Sequence, residues 1–401
     1  MPLSIFWRIL EGVNCGVWYI VKHVLATVKQ LLGIKKKINA SISDLAKSCE
    51  LDISRHSLET TDGYVLGIYR LCLSSKDDIL LGSPAVLILH GLLQDSESFL
   101  CGGKNASLAS VLCHAGYDVW LGNNRGCQHS VEHSSRDINS ASYWDYSLDE
   151  LALYDVPAMV NYVLEQTGRS KLVVIGFSQG SAQAIAALSI QSVPSEKISL
   201  VIALAPPVVL TRLKNKRFHS LITWNPFFPS HLLGSRNIFK HFQFIKSMHQ
   251  TPENFRYGCT LFFWICFGWV CNNWSKETGA KAFNHGFSPT SVKSVVHWFQ
   301  MLCTQRLCKF QTYSQWARGD AVDLYDMSTI RTPIATISGS EDGFIEPFAV
   351  SDMVPTCEYS HVEPGYEHLD LIWADDAKEK IFSRVLTLLK KYSATSSTST
   401  M

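Results

Sequence analysis

The sequence predicts an α/β fold: a mainly parallel central sheet with helices on both faces and a mostly helical cap inserted late in the chain. Three observations carry this prediction. Short apolar runs alternate with helix-patterned segments from Ala85 to Leu204 and again from Thr332 to Leu388. The alternation lapses between about Val208 and Asp320, where aromatic residues crowd together. Finally, Leu172-Val-Val-Ile175 runs abruptly into Gly176-Phe-Ser-Gln-Gly180. That pattern reads as strand, tight turn and helix, with a serine at the apex of the turn.

Taken in order, the chain opens with an apolar but interrupted stretch from Leu3 to Ile34. Arg8, Glu11, Lys22 and Lys29 break it, so it holds no run of about 20 apolar residues. At helical spacing Ile5, Ile9, Val13, Val17, Ile20, Val24, Val28 and Leu31 share one stripe. Trp7, Trp18 and Tyr19 add interface-seeking rings, and Lys35-Lys36-Lys37 closes the segment. Residues 1–40 are therefore expected to associate with a membrane. Two other readings stand beside this one. A cleaved signal peptide would hold Lys22 in its apolar centre and shows no small-x-small cleavage site. The third is an amphipathic helix packed on the domain.

Ser43 to Ile53 reads as a short helix and turn, and His56 to Leu71 as a β-hairpin turning at Asp62-Gly63. Ala85-Val-Leu-Ile-Leu89 has the all-apolar composition of a strand buried on both faces. It delivers His90-Gly91-Leu92-Leu93 to its carboxyl end, the edge where open α/β sheets bind ligands. A helix around Leu108–Ala115 and a strand over Tyr117–Leu121 follow. Ser147-Leu-Asp-Glu150 is a capping box for a helix reaching about Gln166. After the serine turn, Leu200–Leu204 forms another strand, stopped by Pro206-Pro207. Beyond the aromatic segment come strands over Thr332–Ser338 and Glu358–Val362, then a terminal helix carrying Ile381, Val385 and Leu388. The organisation is a core in two parts, residues 41–207 and 321–392, with a cap over 208–320. A Ser/Thr-rich tail over 393–401 is expected to be disordered.

Composition narrows the function. The chain of 401 residues carries 36 Lys+Arg against 35 Asp+Glu, so no electrostatic argument favours nucleic acid. Charged residues make up 18% and aromatics 11%, which leans towards an apolar substrate or a membrane surface. The 12 cysteines are too dilute for a disulfide scaffold and lack the paired Cys-x-x-Cys spacing of a zinc site; no metal and no cofactor is expected. Cys259, Cys266 and Cys271 lie close enough in sequence for one disulfide, with the pairing open. The aromatic run Phe262–Trp269 is too short to span a bilayer. It suits the core of the cap, an acyl pocket or a lipid-facing surface. Asn39-Ala-Ser and Asn105-Ala-Ser match glycosylation acceptors, relevant only to a secreted chain.

The tight turn requires glycines at 176 and 180 and presents the Ser178 hydroxyl clear of strand and helix. A serine needs a base to become a nucleophile near neutral pH. In this turn type the partners follow in the order serine, acid, histidine. Asp342, in Gly339-Ser-Glu-Asp-Gly343 just past a strand, is the candidate acid, with Glu341 as its competitor. Asp320, Asp323 and Asp326 read as solvated loop charges. His368, in Glu363-Pro-Gly-Tyr-Glu-His-Leu-Asp370, is the candidate base. His361 falls within a strand and His90 precedes the serine, so both read as structural. The backbone N–H groups of Leu92 and Gln179 are the candidate oxyanion donors.

These residues resemble the acid-lipase branch of the α/β-hydrolases. The resemblance is carried by Thr61-Asp-Gly-Tyr64, His90-Gly-Leu-Leu93, the run Gly116 to Gly126 and the run Trp144 to Asp155. Gly176 to Gln183, Ala203-Leu-Ala-Pro206 and Tyr366-Glu-His-Leu-Asp370 complete it. It implies an α/β-hydrolase fold, hydrolysis of long-chain esters in neutral lipids, and a cap gating the pocket. The family's nucleophile, acid, histidine and oxyanion motifs fall on Ser178, Asp342, His368, Leu92 and Gln179. Departures are Gly339-Ser-Glu-Asp, where secreted members usually have Gly-Gly-Asn-Asp, and Ile345-Glu-Pro347 after it. The amino-terminal segment looks like that of membrane-attached fungal steryl ester hydrolases.

The resulting expectation is a membrane-associated serine hydrolase of steryl esters, with triacylglycerol as the alternative substrate. Residues 3–37 would meet a lipid-droplet or endoplasmic-reticulum surface, with a secretory or lysosomal-vacuolar location as the alternative. Acyl transfer to another alcohol is a second enzymatic reading. A catalytically inactive lipid-binding or tethering protein is the reading from another class.

Overall fold

The computed structural model describes residues 41–73, 83–211, 213–238 and 252–396. The membrane-associating segment expected over residues 1–40 lies outside them. Helix α1 (Ile42–Ser48) opens on a capping box: Ser41 Oγ accepts the Asp44 N–H while the Asp44 carboxylate accepts from the Ser41 N–H. Leu51–Ile53, expected to belong with this helix and its turn, instead begin strand β1 (Leu51–Glu59). They pair antiparallel with Leu71–Leu73 of β2 (Tyr64–Leu73), and a backbone committed to that ladder cannot continue a helix. The hairpin is thus longer than expected, but it turns where Asp62-Gly63 place it, with Gly63 at φ +93°.

Strand β3 (Ala85–Leu89) is buried at all five positions, as its composition requires. Helix α2 (Leu108–His114), strand β4 (Asp118–Gly122) and the two-residue β5 (Glu132–His133) follow. The Ser147–Glu150 capping box is present and starts a helical run with a π-helical turn over Leu151–Asp155. The run continues as α3 (Val156–Thr167) and stops at left-handed Gly168. Strand β6 (Leu172–Phe177), helix α4 (Gln179–Ser189) and strand β7 (Ile198–Leu204) complete the first half.

Six α-helices among the described residues separate β7 from β8. They are α5 (Lys216–Trp224), α6 (Phe228–Leu233), α7 (Pro252–Phe267), α8 (Lys276–His285), α9 (Val292–Thr304) and α10 (Tyr313–Arg318). Strands β8 (Ile334–Gly339) and β9 (Cys357–Glu363) and helix α11 (Ser383–Ser396) close the chain. Helix α11 runs four residues past Tyr392, into the stretch expected to be disordered; Ala394 there is a strong helix former. Residues 397–401 of that stretch lie outside the described residues.

The sheet order is β1-β2-β4-β3-β6-β7-β8-β9, with β5 on β2. The β1–β2 and β2–β4 pairs are antiparallel, and every pair from β4 to β9 is parallel. From β3 the chain moves outward to β4, then crosses back to β6 on the other side. That reversal opens a crevice at the carboxyl ends of β3 and β6. The helices between β7 and β8 are tied to the rest by buried polar contacts. Glu97 accepts from His285 of α8 at 2.8 Å and faces His129 at 3.2 Å, and Trp298 of α9 donates to Gln179 Oε1 at 2.8 Å.

Candidate active site

Ser178 joins β6 to α4 at φ 51° and ψ −117°, a backbone conformation that neither element uses. The two glycines make the turn possible. A Cβ on Gly176 would lie 2.4 Å from Ser181 N, and one on Gly180 would lie 2.2 Å from Leu89 O. Any side chain at either position would drive strand and helix apart, and the serine would lose its perch.

His368 lies on the loop after β9, whose glycine Gly365 takes φ +74°. Its Nε2 is 2.8 Å from Ser178 Oγ and its Nδ1 is 2.7 Å from Asp342 Oδ2. Asp342, on the turn after β8, is buried, and its Oδ1 also accepts the Phe344 N–H at 3.2 Å. Glu341, its competitor from sequence, is exposed, and its carboxylate accepts from its neighbour Ser340 at 3.4 Å. A hydroxyl, an imidazole and a carboxylate thus form one hydrogen-bonded chain, able to move a proton from serine to histidine.

The turn after β3 packs directly on the serine, since a Cβ on Gly91 would stand 3.3 Å from Ser178 Cβ. Leu92 N–H lies on that turn and Gln179 N–H opens α4. Among the described residues neither is spent on an intramolecular hydrogen bond.

The two histidines that sequence set aside are engaged elsewhere. His361 lies in β9 and pairs with Glu363 at 2.9 Å. His90 donates from Nδ1 to Gly91 O at 2.9 Å and accepts the Asn124 N–H on Nε2 at 3.1 Å, which fixes one neutral tautomer. Burial pushes its pKa down to about 4. A depressed histidine pKa stabilises the fold above the unfolded value of about 6.5, and that contribution fades as pH falls through about 4. The contribution is on the order of 3 kcal/mol. Urea unfolding at pH 7 and pH 4 should show a steeper acid-side loss for wild type than for His90→Gln; equal losses would contradict a neutral buried imidazole.

An apolar cavity of about 240 Å³ ends on Ser178 and His368. Apart from Gln94 and these two residues, its walls are aliphatic, aromatic or cysteine side chains, among them Phe177, Phe218, Phe263, Phe299 and Phe344. The aromatic run of the sequence divides between two tasks. Phe263, Cys266, Phe267 and Trp269 line the cavity, while Leu261, Trp264 and Ile265 face outward. Phe262 does both. Cys266 is a buried free thiol; the side chain of Cys259 lies outside the described residues. No helix among the described residues is long and apolar enough to cross a membrane.

Two residues at the site were not singled out from sequence. Trp269 stacks on His368, ring centroids 5.1 Å apart and planes 2° from parallel, and donates its indole N–H to Asp342 O at 2.5 Å. Glu367 accepts the N–H groups of Val270 and Cys271 at 2.7 and 2.8 Å. The signals available were Trp269 at the end of the aromatic run and a carboxylate directly before the histidine.

Residues 84–375 match the family described as the alpha/beta hydrolase fold, and residues 42–103 match the partial alpha/beta-hydrolase lipase region. A Schizosaccharomyces pombe protein named as a probable lipase is 36% identical, over 88% of this chain and 77% of its own. The lysosomal acid lipase/cholesteryl ester hydrolase of Rattus norvegicus is 30% identical, over 84% of this chain and 88% of its own. Among solved structures, a soluble variant of monoglyceride lipase from Saccharomyces cerevisiae shares the fold. Its TM-score is 0.54 at 14% identity, covering 90% of this chain and 98% of that one. The chain therefore belongs to the acid-lipase branch of the α/β-hydrolases and is a carboxylic ester hydrolase.

Proposed function

We propose that the protein hydrolyses steryl esters of long-chain fatty acids through an acyl-enzyme on Ser178. The observation that carries this reading is an apolar cavity ending on a serine within 2.8 Å of an imidazole nitrogen. His368 takes the Ser178 proton as Oγ attacks the ester carbonyl, while Asp342 holds the imidazole tautomer and stabilises the imidazolium. The tetrahedral oxyanion is received by the Leu92 and Gln179 N–H groups. His368 then protonates the departing sterol oxygen. Water, deprotonated by the same imidazole, releases the fatty acid and restores the serine.

The cavity walls are suited to an acyl chain or sterol and offer nothing to a charged headgroup. The rat relative is named for both acid lipase and cholesteryl ester hydrolase activity, so triacylglycerol is the second substrate. Under this reading the enzyme works on a lipid-droplet or endoplasmic-reticulum surface, with residues 3–37 as its attachment. The outward side chains of α7, Leu261, Trp264 and Ile265, support contact with lipid. The rat relative's lysosomal name supports the secretory or lysosomal-vacuolar alternative. Membrane fractions should retain the full-length protein until detergent is added; recovery in the soluble fraction without salt or detergent would refute the attachment.

The substrate is tested by hydrolysis of cholesteryl oleate and triolein in mixed micelles, by wild type and Ser178→Ala. Faster release of oleate from the sterol ester by wild type, and none by the variant, is the expected result. A preference for triolein would move the function to triacylglycerol hydrolysis. Failure to cut either ester would leave the tethering reading in its place.

A further inference from the structure

The segment after α7, Gly268 to Trp274, is fastened to the loop that carries His368 by a set of charge-assisted bonds. Glu367 accepts two consecutive backbone N–H groups, those of Val270 and Cys271, one on each carboxylate oxygen. Three residues on, Asp370 accepts from Asn273 Nδ2 at 2.7 Å and Trp274 Nε1 at 2.5 Å. The same carboxylate accepts the Glu367 N–H at 2.6 Å, so Asp370 also fixes the backbone from which Glu367 reaches the segment. Asn273 Nδ2 also reaches Gly365 O at 3.0 Å. These groups are buried or partly buried, where a hydrogen bond to a charged acceptor is strong and its loss leaves a polar group stranded.

This fastening has a consequence at the reacting atoms. Trp269, immediately before the two clamped amides, lies flat on the His368 ring and bonds the carbonyl of Asp342. Phe177 at 5.3 Å and Phe344 at 5.9 Å, ring centroid to ring centroid, close two other sides of the imidazole. Phe177 ends β6 and Phe344 follows the turn after β8, whereas Trp269 belongs to the inserted helical segment and keeps its place while that segment is seated. Trp269 also lines the acyl cavity, so one side chain touches both the base and the space for the substrate.

We propose that Glu367 is a positioning residue for catalysis: its carboxylate seats the Gly268–Trp274 segment so that Trp269 holds His368 between Ser178 and Asp342. Glu367 touches neither the serine nor the cavity, and acts through Trp269. The inference rests on the Ser178–His368–Asp342 reading. Total inactivity of Ser178→Ala with full activity of Glu367→Gln would uphold that reading and reject this one.

The test is a double-mutant cycle in the full-length protein with Glu367→Gln, Trp269→Ala and both together. It is read as kcat and KM on a short-chain soluble ester, which needs little of the acyl cavity, and as the rate of fluorophosphonate labelling of Ser178. Glutamine keeps the shape of the side chain but turns an NH₂ group towards one of the two clamped amides. Each single variant is expected to lower kcat and labelling about tenfold or more at little change in KM, because a small displacement of a general base costs rate and not binding. The double variant is expected to be no slower than Trp269→Ala alone. Independent, multiplying losses would overturn the proposal, as would wild-type kcat and labelling in a folded Glu367→Gln protein. Trp269→Phe, which keeps a ring on His368 and loses the bond to Asp342 O, should retain more activity than Trp269→Ala. Equal losses in these two variants would also overturn it, since the ring contact would then be doing nothing.

Discussion

Ser178→Ala is expected to lower kcat by roughly 10⁴- to 10⁶-fold while leaving the unfolding midpoint within experimental error of wild type. The magnitude follows from the loss of the hydroxyl bonded to His368 Nε2; the Cys266 thiol also lines the cavity, but burial pushes its pKa up to about 11 and keeps it a poor nucleophile. Alanine fits the turn as serine does, and the adverse φ of 51° is already present in the native protein, so the backbone meets no new strain. Asp342→Asn should fall about 10⁴-fold by a different route. An amide can donate to Nδ1 and so favour the tautomer with the proton on Nε2, which cannot accept from Ser178. Active-site titration with a fluorophosphonate separates the two variants. Ser178→Ala should take up no label at all, and Asp342→Asn should label slowly to full stoichiometry. Substantial hydrolysis by folded Ser178→Ala would dismiss the covalent mechanism.

The central strands and the serine turn were legible because each is fixed by local chemistry. A run such as Ala85–Leu89 has no polar face to show solvent, and Gly176 and Gly180 have neighbours too close for any Cβ. Asp342 and His368 were legible from chain order and from their place just beyond strands. Other features depend on distant partners, and no local pattern encodes them. Leu51–Ile53 are extended because Leu71–Leu73 lie beside them. Glu367 looks like any loop carboxylate until residues about a hundred positions earlier bring two amides to it. Trp269 belongs to a run whose residues divide between cavity and surface, and only the helix path of α7 decides which residue faces which way.

The largest stability effect is expected at a buried ion cluster behind the site. Arg125, in the loop after β4, donates from Nε to Asp155 at 2.7 Å and from both terminal nitrogens to Asp62 at 2.6 and 2.9 Å. Its backbone N–H adds a bond to Asp155 at 2.9 Å, and its guanidinium lies 4.0 Å from the centroid of the Tyr64 ring. Burial alone would weaken the charge on Arg125, but Asp155 and Asp62 together push its pKa well above the ordinary value. The cation is therefore permanent, and removing Asp155 takes away its fully buried counter-charge and leaves only the partly exposed Asp62 to balance it. Asp155→Asn should cost about 3–5 kcal/mol of unfolding free energy, measured by urea denaturation at pH 7. Arg125→Met with Asp155→Leu should recover part of that loss, because the fully buried pair goes and the carboxylate left behind, Asp62, is partly exposed to water. A loss below about 1 kcal/mol in Asp155→Asn would mean that water reaches the guanidinium and the cluster is not a structural tie. The effect should also reach the chemistry. Neighbouring Asn124 exchanges two hydrogen bonds with Gln183 of α4 and gives its N–H to His90, so this loop braces both the serine helix and the turn bearing Leu92. Under conditions where Asp155→Asn is still folded, its kcat should fall more than its KM rises, since the Leu92 and Gln179 N–H groups, the proposed oxyanion donors, lose their common support.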